Sequence, residues 1–159
     1  MSSFTRQQLE AWLRTIEVDG KVIDFGGSQK PLQGRVHLSE SSEVDIFDLQ
    51  NPHEKAVAPD FVGDINKRYE FLRALKQQYD YAFCLEVMEY VWNPNIAMKN
   101  IHRFLKKGGL LYMSTPFVYP VHNPFFMKKT TTTDLKFIIG TLYGFINRKT
   151  TAIQPSSKI

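Results

Sequence analysis

Short apolar runs, each about as long as a buried strand, alternate along this chain with segments whose apolar residues repeat at helical spacing. Such alternation is typical of a parallel sheet whose strands are joined by crossover helices. The predicted strands cover residues 21–25, 43–49, 60–65, 79–85 and 110–117. The predicted helices cover residues 4–16, 68–78, 95–105 and 133–143. The sequence therefore predicts an α/β fold built on a doubly wound, mostly parallel sheet.

A single domain accounts for all 159 residues, because a chain of this length with 43% hydrophobic residues can bury one substantial core. We expect an N-terminal helix within residues 1–20, a sheet core over 21–117, and a loop, a last helix and a possible sixth strand at 145–153 within 118–159. Nothing after that strand could form a seventh. We therefore expect a sheet that is truncated at its C-terminal end, with either a homodimer that covers its open edge or marginal stability.

The composition argues against several classes of protein. Cys84 is the only cysteine, so no internal disulfide can form, and the first residues lack the apolar stretch of a signal peptide. No run approaches the ~18 apolar residues of a membrane span. We therefore expect a cytoplasmic protein that does not enter a membrane.

The charge is divided unevenly along the chain. Residues 1–98 contain ten Lys and Arg against fifteen Asp and Glu, a net charge of −5, whereas residues 99–159 contain ten against one, a net charge of +9. A basic half of this kind can contact an anionic partner such as a nucleic acid. Solvated lysines on helix faces would give the same distribution, and we prefer this interpretation.

An acidic residue and a glycine turn close the first predicted strand. Asp24 is followed by Gly26 and Gly27, and glycines at the carboxyl end of a parallel strand let the backbone approach a ligand. The pattern is not a full dinucleotide fingerprint, because Ser28 and Lys30 stand where glycines would be expected. An ordinary glycine turn remains the alternative for this segment taken alone.

Further acidic residues stand near the ends of the next two predicted strands. Asp48 is our choice after the second strand, with Asp45 as the alternative, because an acid there can accept hydrogen bonds from ribose hydroxyls. Asp64, followed by Ile65, closes the third, where a carboxylate and a backbone N–H could contact an adenine edge. The carboxyl ends of parallel strands share one edge, so these acids are predicted to surround one ligand.

The most specific segment is residues 84–117, which read CLEVMEYVWNPNIAMKNIHRFLKKGGLLYMSTPF. With the acidic positions before it, this segment resembles the class I S-adenosylmethionine-dependent methyltransferases of the type 11 group. Those proteins have a C-x-E-V-x-E-H-V stretch, a K-P-G-G turn and an S-T-P strand end. The resemblance covers about residues 9–145. It is nearest to short bacterial members with a Y-P-V-H-N-P stretch, here residues 119–124.

The resemblance implies a role for each matching residue. The cofactor would be S-adenosyl-L-methionine, held by the core over 21–117. The acceptor pocket would be built from the loop over 116–133, at the start of the substrate-side region 118–159, and from the N-terminal helix. Asp48 would hold the ribose diol, and Asp64 would contact the adenine amino group with Ile65 beside the ring. The residues implied at the methionine part of the cofactor are Asp24, Gly26, Gly27, Cys84, Leu85 and Glu86.

Some positions depart from the family pattern. Besides Ser28 and Lys30, Lys107 replaces the proline of K-P-G-G, and Tyr90 stands where many relatives have histidine. The glycine turn and the short C-terminus therefore leave catalytic competence open at this stage. A non-catalytic binding or assembly module is one alternative to an enzyme.

Past the fifth predicted strand, His122 is a candidate general base that could take a proton from the acceptor. A loop histidine bonded to backbone is the preferred alternative, and Tyr119 is a weaker candidate for acceptor contact. No histidines show metal-ligand spacing, so no metal is expected. The function predicted is methyl transfer to a small-molecule or saccharide acceptor, with a nucleic-acid methyltransferase as another alternative.

Overall fold

The computed structural model describes residues 4–50, 56–67, 75–115 and 136–139, the last of these in their backbone only. In chain order the elements are α1 (Phe4–Leu13), β1 (Glu17–Val18), β2 (Lys21–Phe25), β3 (His37–Leu38), β4 (Glu43–Asp48), β5 (Phe61–Val62), β6 (Tyr79–Leu85), α2 (Pro94–Phe104), β7 (Leu105–Ser114) and β8 (Lys136–Ile139). Short 3₁₀ helices cover Gly27–Gln29 and Met88–Tyr90.

Six strands form one parallel sheet in the order β5-β4-β2-β6-β7-β8. The earlier strands lie on one side of β2 and the later strands on the other, so the strand order reverses between β2 and β6. Ligands of open α/β sheets bind at such a reversal, outside the carboxyl ends of the strands. The predicted doubly wound, mostly parallel fold is confirmed.

Each face of the sheet carries its own hydrophobic core. On one face, α2 contributes Ile101 and Phe104, and the Phe104 ring lies 5.4 Å from that of Phe25 and 5.7 Å from that of Phe47. On the other face, Leu9 and Leu13 of α1 are buried in the second core. Because both faces are covered, the central strands carry apolar residues on both faces rather than on one face only.

The start of α2 is fixed by local chemistry. The side chain of Asn93 caps the helix by accepting a hydrogen bond of 3.2 Å from the backbone N–H of Ile96. Pro94 occupies the first turn, where its missing N–H would have no helical partner. The helix predicted over residues 95–105 is therefore present with its bounds shifted by one residue.

The predicted turn after α2 belongs instead to a strand. Residues 106–109 correspond to the K-P-G-G turn of the resemblance, but they lie within β7, which begins at Leu105, and Leu105 pairs with Tyr79. The register shifts between Tyr79 and Tyr81, and Gly108 takes a positive φ of 83°. The glycine thus absorbs an irregularity within β7, and an ion pair of 2.8 Å from Lys106 to Asp80 anchors it.

The helix predicted over residues 133–143 is wrong at its centre, where Lys136–Ile139 form β8. This strand pairs in parallel with residues 110–113 of β7. The segment reads KFII, and aromatic and β-branched residues favour a pleated strand beside an apolar neighbour. The predicted strand at 145–153 and residues 68–74 of the predicted helix 68–78 lie outside the described residues, and residues 75–77 form a turn.

Within the described ranges, no helix combines the length and apolarity of a membrane span.

Candidate cofactor site

A cavity of about 440 Å³ opens where β2, β4, β5 and β6 end. Helix α1 forms one wall through Arg6 and Leu9, and the rings of Phe25 and Phe47 contribute to its lining. A volume of this size lies in the usual range for a small-molecule site. The sheet topology therefore places a pocket where parallel sheets bind ligands.

Asp24, at the end of β2, is the most unusual side chain of this cavity. It is only 2% exposed, and its Oδ2 has no hydrogen-bond partner among the described residues. Burial raises the pKa of Asp24 to about 8; the positive charge of Arg35 opposes this rise and the negative charge of Asp48 adds to it. A buried carboxyl oxygen without a partner is suited to receive a donor from a ligand.

The glycine turn is shaped around this carboxyl. A Cβ on Gly27 would overlap the Asp24 carboxylate, and one on Gly26 would overlap the Val87 side chain. Gly26 also has a φ of 75°, and its N–H donates to the Phe47 carbonyl at 2.9 Å. Gly27 is therefore required because there is no space for a side chain. Gly26 is required for the same reason and also for its positive φ.

Asp48, at the end of β4, has its carboxylate fixed by backbone donors. Its Oδ2 accepts from the N–H of Ser28 at 3.1 Å, and its Oδ1 accepts from the N–H of Leu49 at 2.8 Å. Asp45, the alternative, is not among the cavity residues, and its Oδ2 accepts the Tyr79 hydroxyl at 2.7 Å. Only Asp48 of the two faces a ligand in the cavity.

The loop after β5 is held by two asparagines that the sequence analysis did not identify. Asn66 donates to Asp64 Oδ1 at 2.9 Å, and its own Oδ1 accepts from the N–H of Trp92 at 2.8 Å. Asn100, buried on α2, donates at 2.8 Å to the carbonyls of Ile65 and Lys67. Asparagines in helical or loop patterns look ordinary in a sequence, so only the fold reveals that they position Asp64.

The end of β6 supplies the remaining wall. Glu86 has a positive φ of 55° and pairs with Arg6 at 3.2 Å, which ties α1 to the cavity. Leu85 also lines the cavity, whereas Cys84 is 0% exposed and does not. Burial first, and then the charges of Asp24 and Glu89, raise the pKa of the Cys84 thiol, so the thiol stays neutral.

Glu89 is a cavity residue that the sequence analysis missed. Its Oε2 is shielded from solvent and has no hydrogen-bond partner among the described residues. Burial raises the pKa of Glu89 to about 7; a backbone hydrogen bond opposes the rise, and the charge of Glu86 adds to it. The spacing Glu86-x-x-Glu89 was the available signal, because the 3₁₀ turn over residues 88–90 brings the second carboxyl back to the cavity.

A cationic cluster borders the Asp24 side of the cavity. Arg35, whose side chain is 11% exposed, pairs with Glu10 at 3.1 Å and donates to the Lys30 carbonyl at 2.8 Å. The Lys30 ammonium also contacts Glu10. Burial raises the pKa of Glu10, but the hydrogen bonds from Arg35 and Lys30 outweigh it and lower that pKa. Lys30 stands where the family pattern has a glycine, and in this protein it forms part of the cavity wall.

Eight of the nine residues predicted to bind the cofactor line this one cavity: Asp24, Gly26, Gly27, Asp48, Asp64, Ile65, Leu85 and Glu86. Cys84 is the ninth. Tyr119 and His122, predicted at the acceptor, lie outside the described residues. In the described ranges, no group of three or more His, Cys, Asp or Glu side chains is arranged to hold a metal ion.

These residues fit S-adenosylmethionine. An orphaned carboxyl oxygen on Asp24 suits the cationic methionine part, and the absence of a Cβ at Gly27 leaves room for this carboxyl at the cavity wall. Asp48 and Asp64 follow along the same edge, on β4 and beyond β5, in the order in which a ribose and an adenine would continue.

Several solved structures resemble the chain. A SAM-dependent methyltransferase from Aquifex aeolicus is 18% identical over 69% of this chain and 65% of its own, with a TM-score of 0.49. A protein assigned as such a methyltransferase from Methanococcus maripaludis is 17% identical over 70% of this chain and 57% of its own, with a TM-score of 0.48. The chain thus spans less than two thirds of either structure. A comparison with curated proteins finds no match.

The family comparison is more extensive. A family model described as a methyltransferase domain matches residues 1–130, which include every described strand except β8. The chain therefore belongs to the methyltransferase domain family, with the class I fold and S-adenosylmethionine as its cofactor.

Proposed function

We propose that this protein transfers the methyl group of S-adenosylmethionine to a small-molecule or saccharide acceptor. The observation that carries the proposal is the convergence of Asp24, Asp48 and Asp64 on one cavity at the strand-order reversal. The cavity volume of about 440 Å³ lies in the range of a small-molecule site and suits the cofactor.

The chain's own residues would act mainly by binding and alignment. Asp24 would accept hydrogen bonds from the methionine ammonium, Asp48 from the ribose diol and Asp64 from the adenine amino group. When bound, the cofactor supplies an electrophilic methyl group on a sulfonium. The protein then contributes proximity, in-line geometry and exclusion of water. Together these effects can lower the reaction barrier by about 7–11 kcal/mol.

Titration calorimetry with S-adenosylmethionine and S-adenosylhomocysteine tests this function. We expect both to bind the full chain. Asp48→Ala should weaken binding at least about tenfold, because the ribose hydroxyls would lose the charged carboxylate that accepts their hydrogen bonds. Glu40→Ala is the control, since Glu40 is exposed and is not a cavity residue. Absence of binding to the unaltered protein would remove the proposed function.

We also propose a homodimer formed along a sheet edge. Among the described strands, β8 has a neighbour on one side only. Unpaired strand edges favour association with a second chain. Sedimentation velocity over a range of concentrations should show a dimer, and a monomer throughout that range would contradict this part of the proposal.

A further inference from the structure

The Glu89 carboxyl is only partly paired, because a backbone hydrogen bond reaches it but no cation pairs with it in the described ranges. It lies in the 3₁₀ turn after β6, lines the cavity, and leaves Oε2 shielded and without a hydrogen-bond partner among the described residues. Buried polar atoms are almost always paired in native proteins. Because Glu89 also lines the cavity, a donor on a bound ligand would complete this carboxyl once the carboxylate turns toward it.

The place of Glu89 in the sheet separates it from the adenine and ribose positions. Asp64 and Asp48 lie beyond β5 and at the end of β4, on one side of β2, whereas Glu89 follows β6 on the other side. Asp24, between them, already offers an oxygen to the methionine ammonium. Glu89 is therefore left for a molecule that enters from the β6 side, which is the acceptor.

The charges around Glu89 restrict the chemistry of that molecule. Besides burial, the negative charge of Glu86 raises the pKa of Glu89. After burial, the charges of Asp24 and Glu89 both raise the pKa of the Cys84 thiol, so this side of the cavity is acidic. Arg6 on α1, a cation that lines this cavity, pairs with Glu86 at 3.2 Å. No ion pair to Glu89 is found in the described part of the chain, so an anionic acceptor group would meet repulsion, whereas an ammonium would complete the carboxyl.

We infer that the acceptor is an amine and that the Glu89 carboxylate receives its ammonium group and takes one of its protons. This inference rests on the proposed methyl transfer. The ammonium gives a proton to Glu89 and becomes a neutral amine with a free electron pair. The nitrogen then bonds to the methyl carbon while the carbon–sulfur bond breaks and its electron pair stays on sulfur. Glu89 later releases its proton to water.

Two further observations agree with this role. The described residues that line the cavity include no histidine that could serve as the base. Of the two carboxyls after β6, Glu86 pairs with Arg6, whereas Glu89 has no cationic partner among the described residues. Its raised pKa of about 7 suits a group that must gain and lose a proton near neutrality. The Tyr90 ring next to it lines the same cavity and is 66% exposed, and aromatic faces attract organic cations.

The test uses the full chain saturated with S-adenosylhomocysteine and three matched probes: benzylamine, benzyl alcohol and benzoate. Ligand-observed NMR should give the tightest binding for benzylamine and the weakest for benzoate. Glu89→Gln, which keeps the shape and removes the charge, should weaken benzylamine binding at least about tenfold. Glu40→Gln, on the exposed surface, should leave it unchanged.

Acidity provides an independent readout. Benzylamine binding to the unaltered protein should strengthen as the pH rises through about 7, since Glu89 ionises there. Glu89→Gln should lose the part of this dependence centred near 7, whereas Asp24, with a pKa of about 8, titrates at higher pH in both proteins. Asp24, Glu86, Arg6 and Cys84 are the other ionisable groups of the neighbouring elements, and all remain in the variant.

Benzoate binding as tight as benzylamine, no probe binding at millimolar concentration, or equal benzylamine affinity in Glu89→Gln would each overturn the inference. Melting curves of the variant show whether it is folded. Loss of S-adenosylhomocysteine binding by the unaltered protein would instead remove the proposed function, so the two failures are distinguishable.

Discussion

Asp24 is held in a state that is unfavourable without a ligand. Its carboxyl is 2% exposed, lacks a partner at Oδ2 and has a pKa raised to about 8 by burial. At neutral pH the empty protein therefore keeps this carboxyl largely protonated. A cationic ligand would reverse that preference, because a nearby positive charge favours the ionised form.

Replacing Asp24 should separate binding from stability. Asp24→Asn should weaken S-adenosylmethionine binding at least about tenfold, because the methionine ammonium loses its charged acceptor. The same change should stabilise the empty protein above pH 8 by about 1–3 kcal/mol, because no charge is then buried. Titration calorimetry and urea unfolding measure the two effects. Cofactor binding equal to that of the unaltered protein would contradict the assigned role.

The two glycines Gly27 and Gly34 offer a matched comparison. Gly27→Ala should cost about 1–3 kcal/mol of unfolding free energy and reduce cofactor affinity, because its Cβ would collide with Asp24. Gly34→Ala has no atom within 4 Å and keeps only the strain of its φ of 73°, about 1 kcal/mol. Urea unfolding and calorimetry test both, and equal loss of affinity in the two variants would contradict the steric account.

At the residue scale, the sequence predicted the acidic residues of the cavity better than the asparagines that hold the neighbouring loop in place. Asp24, Asp48 and Asp64 each lie at or just beyond the carboxyl end of a strand, and parallel strands bring these ends to one edge, so their convergence could be predicted. Asn66 and Asn100 act through backbone groups of loops far away in the sequence, at separations of 26 and 35 residues. No periodic pattern encodes such separations.

At the element scale, α2 positions the loop after β5 through a single side chain. Asn100→Leu would leave the carbonyls of Ile65 and Lys67 without their donor in a buried place. We expect a loss of about 1–3 kcal/mol in unfolding free energy. Amide hydrogen exchange should also accelerate over residues 63–67. Lys99→Leu, on the exposed face of the same helix, is the control. Unchanged exchange in the Asn100 variant would show that the loop is held by other contacts.

Elements that are buried on both faces were the best predicted. The bounds of β2 and β6 match their predicted ranges, because apolar runs of five and seven residues end at polar or glycine positions. β7 and β8 were less predictable. The glycines at 108 and 109 resemble a helix end, and KFII fits either a helix face or a strand, so pairing with neighbouring strands decides both cases.

At the scale of the whole molecule, the buried acids set the pH dependence of stability. Asp24 and Glu89 have folded pKa values of about 8 and 7, above their ordinary values of 3.8 and 4.5. Between these limits the folded state holds protons that the unfolded chain releases, so stability is present at low pH and is lost as the pH rises through 7 to 8.

Urea unfolding of the empty protein should therefore show a fall on the order of 6 kcal/mol between about pH 5 and pH 8. Asp80, which is paired with Lys106, and Glu10 have lowered pKa values and should add a loss only below about pH 4. Saturation with S-adenosylmethionine should reduce the alkaline fall. A stability that rises steadily to pH 8 would contradict this assignment.

The central position of β2 also determines when the chain can fold during synthesis. The N–H of Lys21, the first residue of β2, donates to Asp80, which lies 59 residues later in the chain. On this side β2 pairs with β6. At ribosomal rates of about 5–20 residues per second, this apolar strand waits roughly 3–12 s for its second neighbour. Early termination before residue 85 would leave it exposed, so nascent chains of that length should depend on chaperones more than the finished protein.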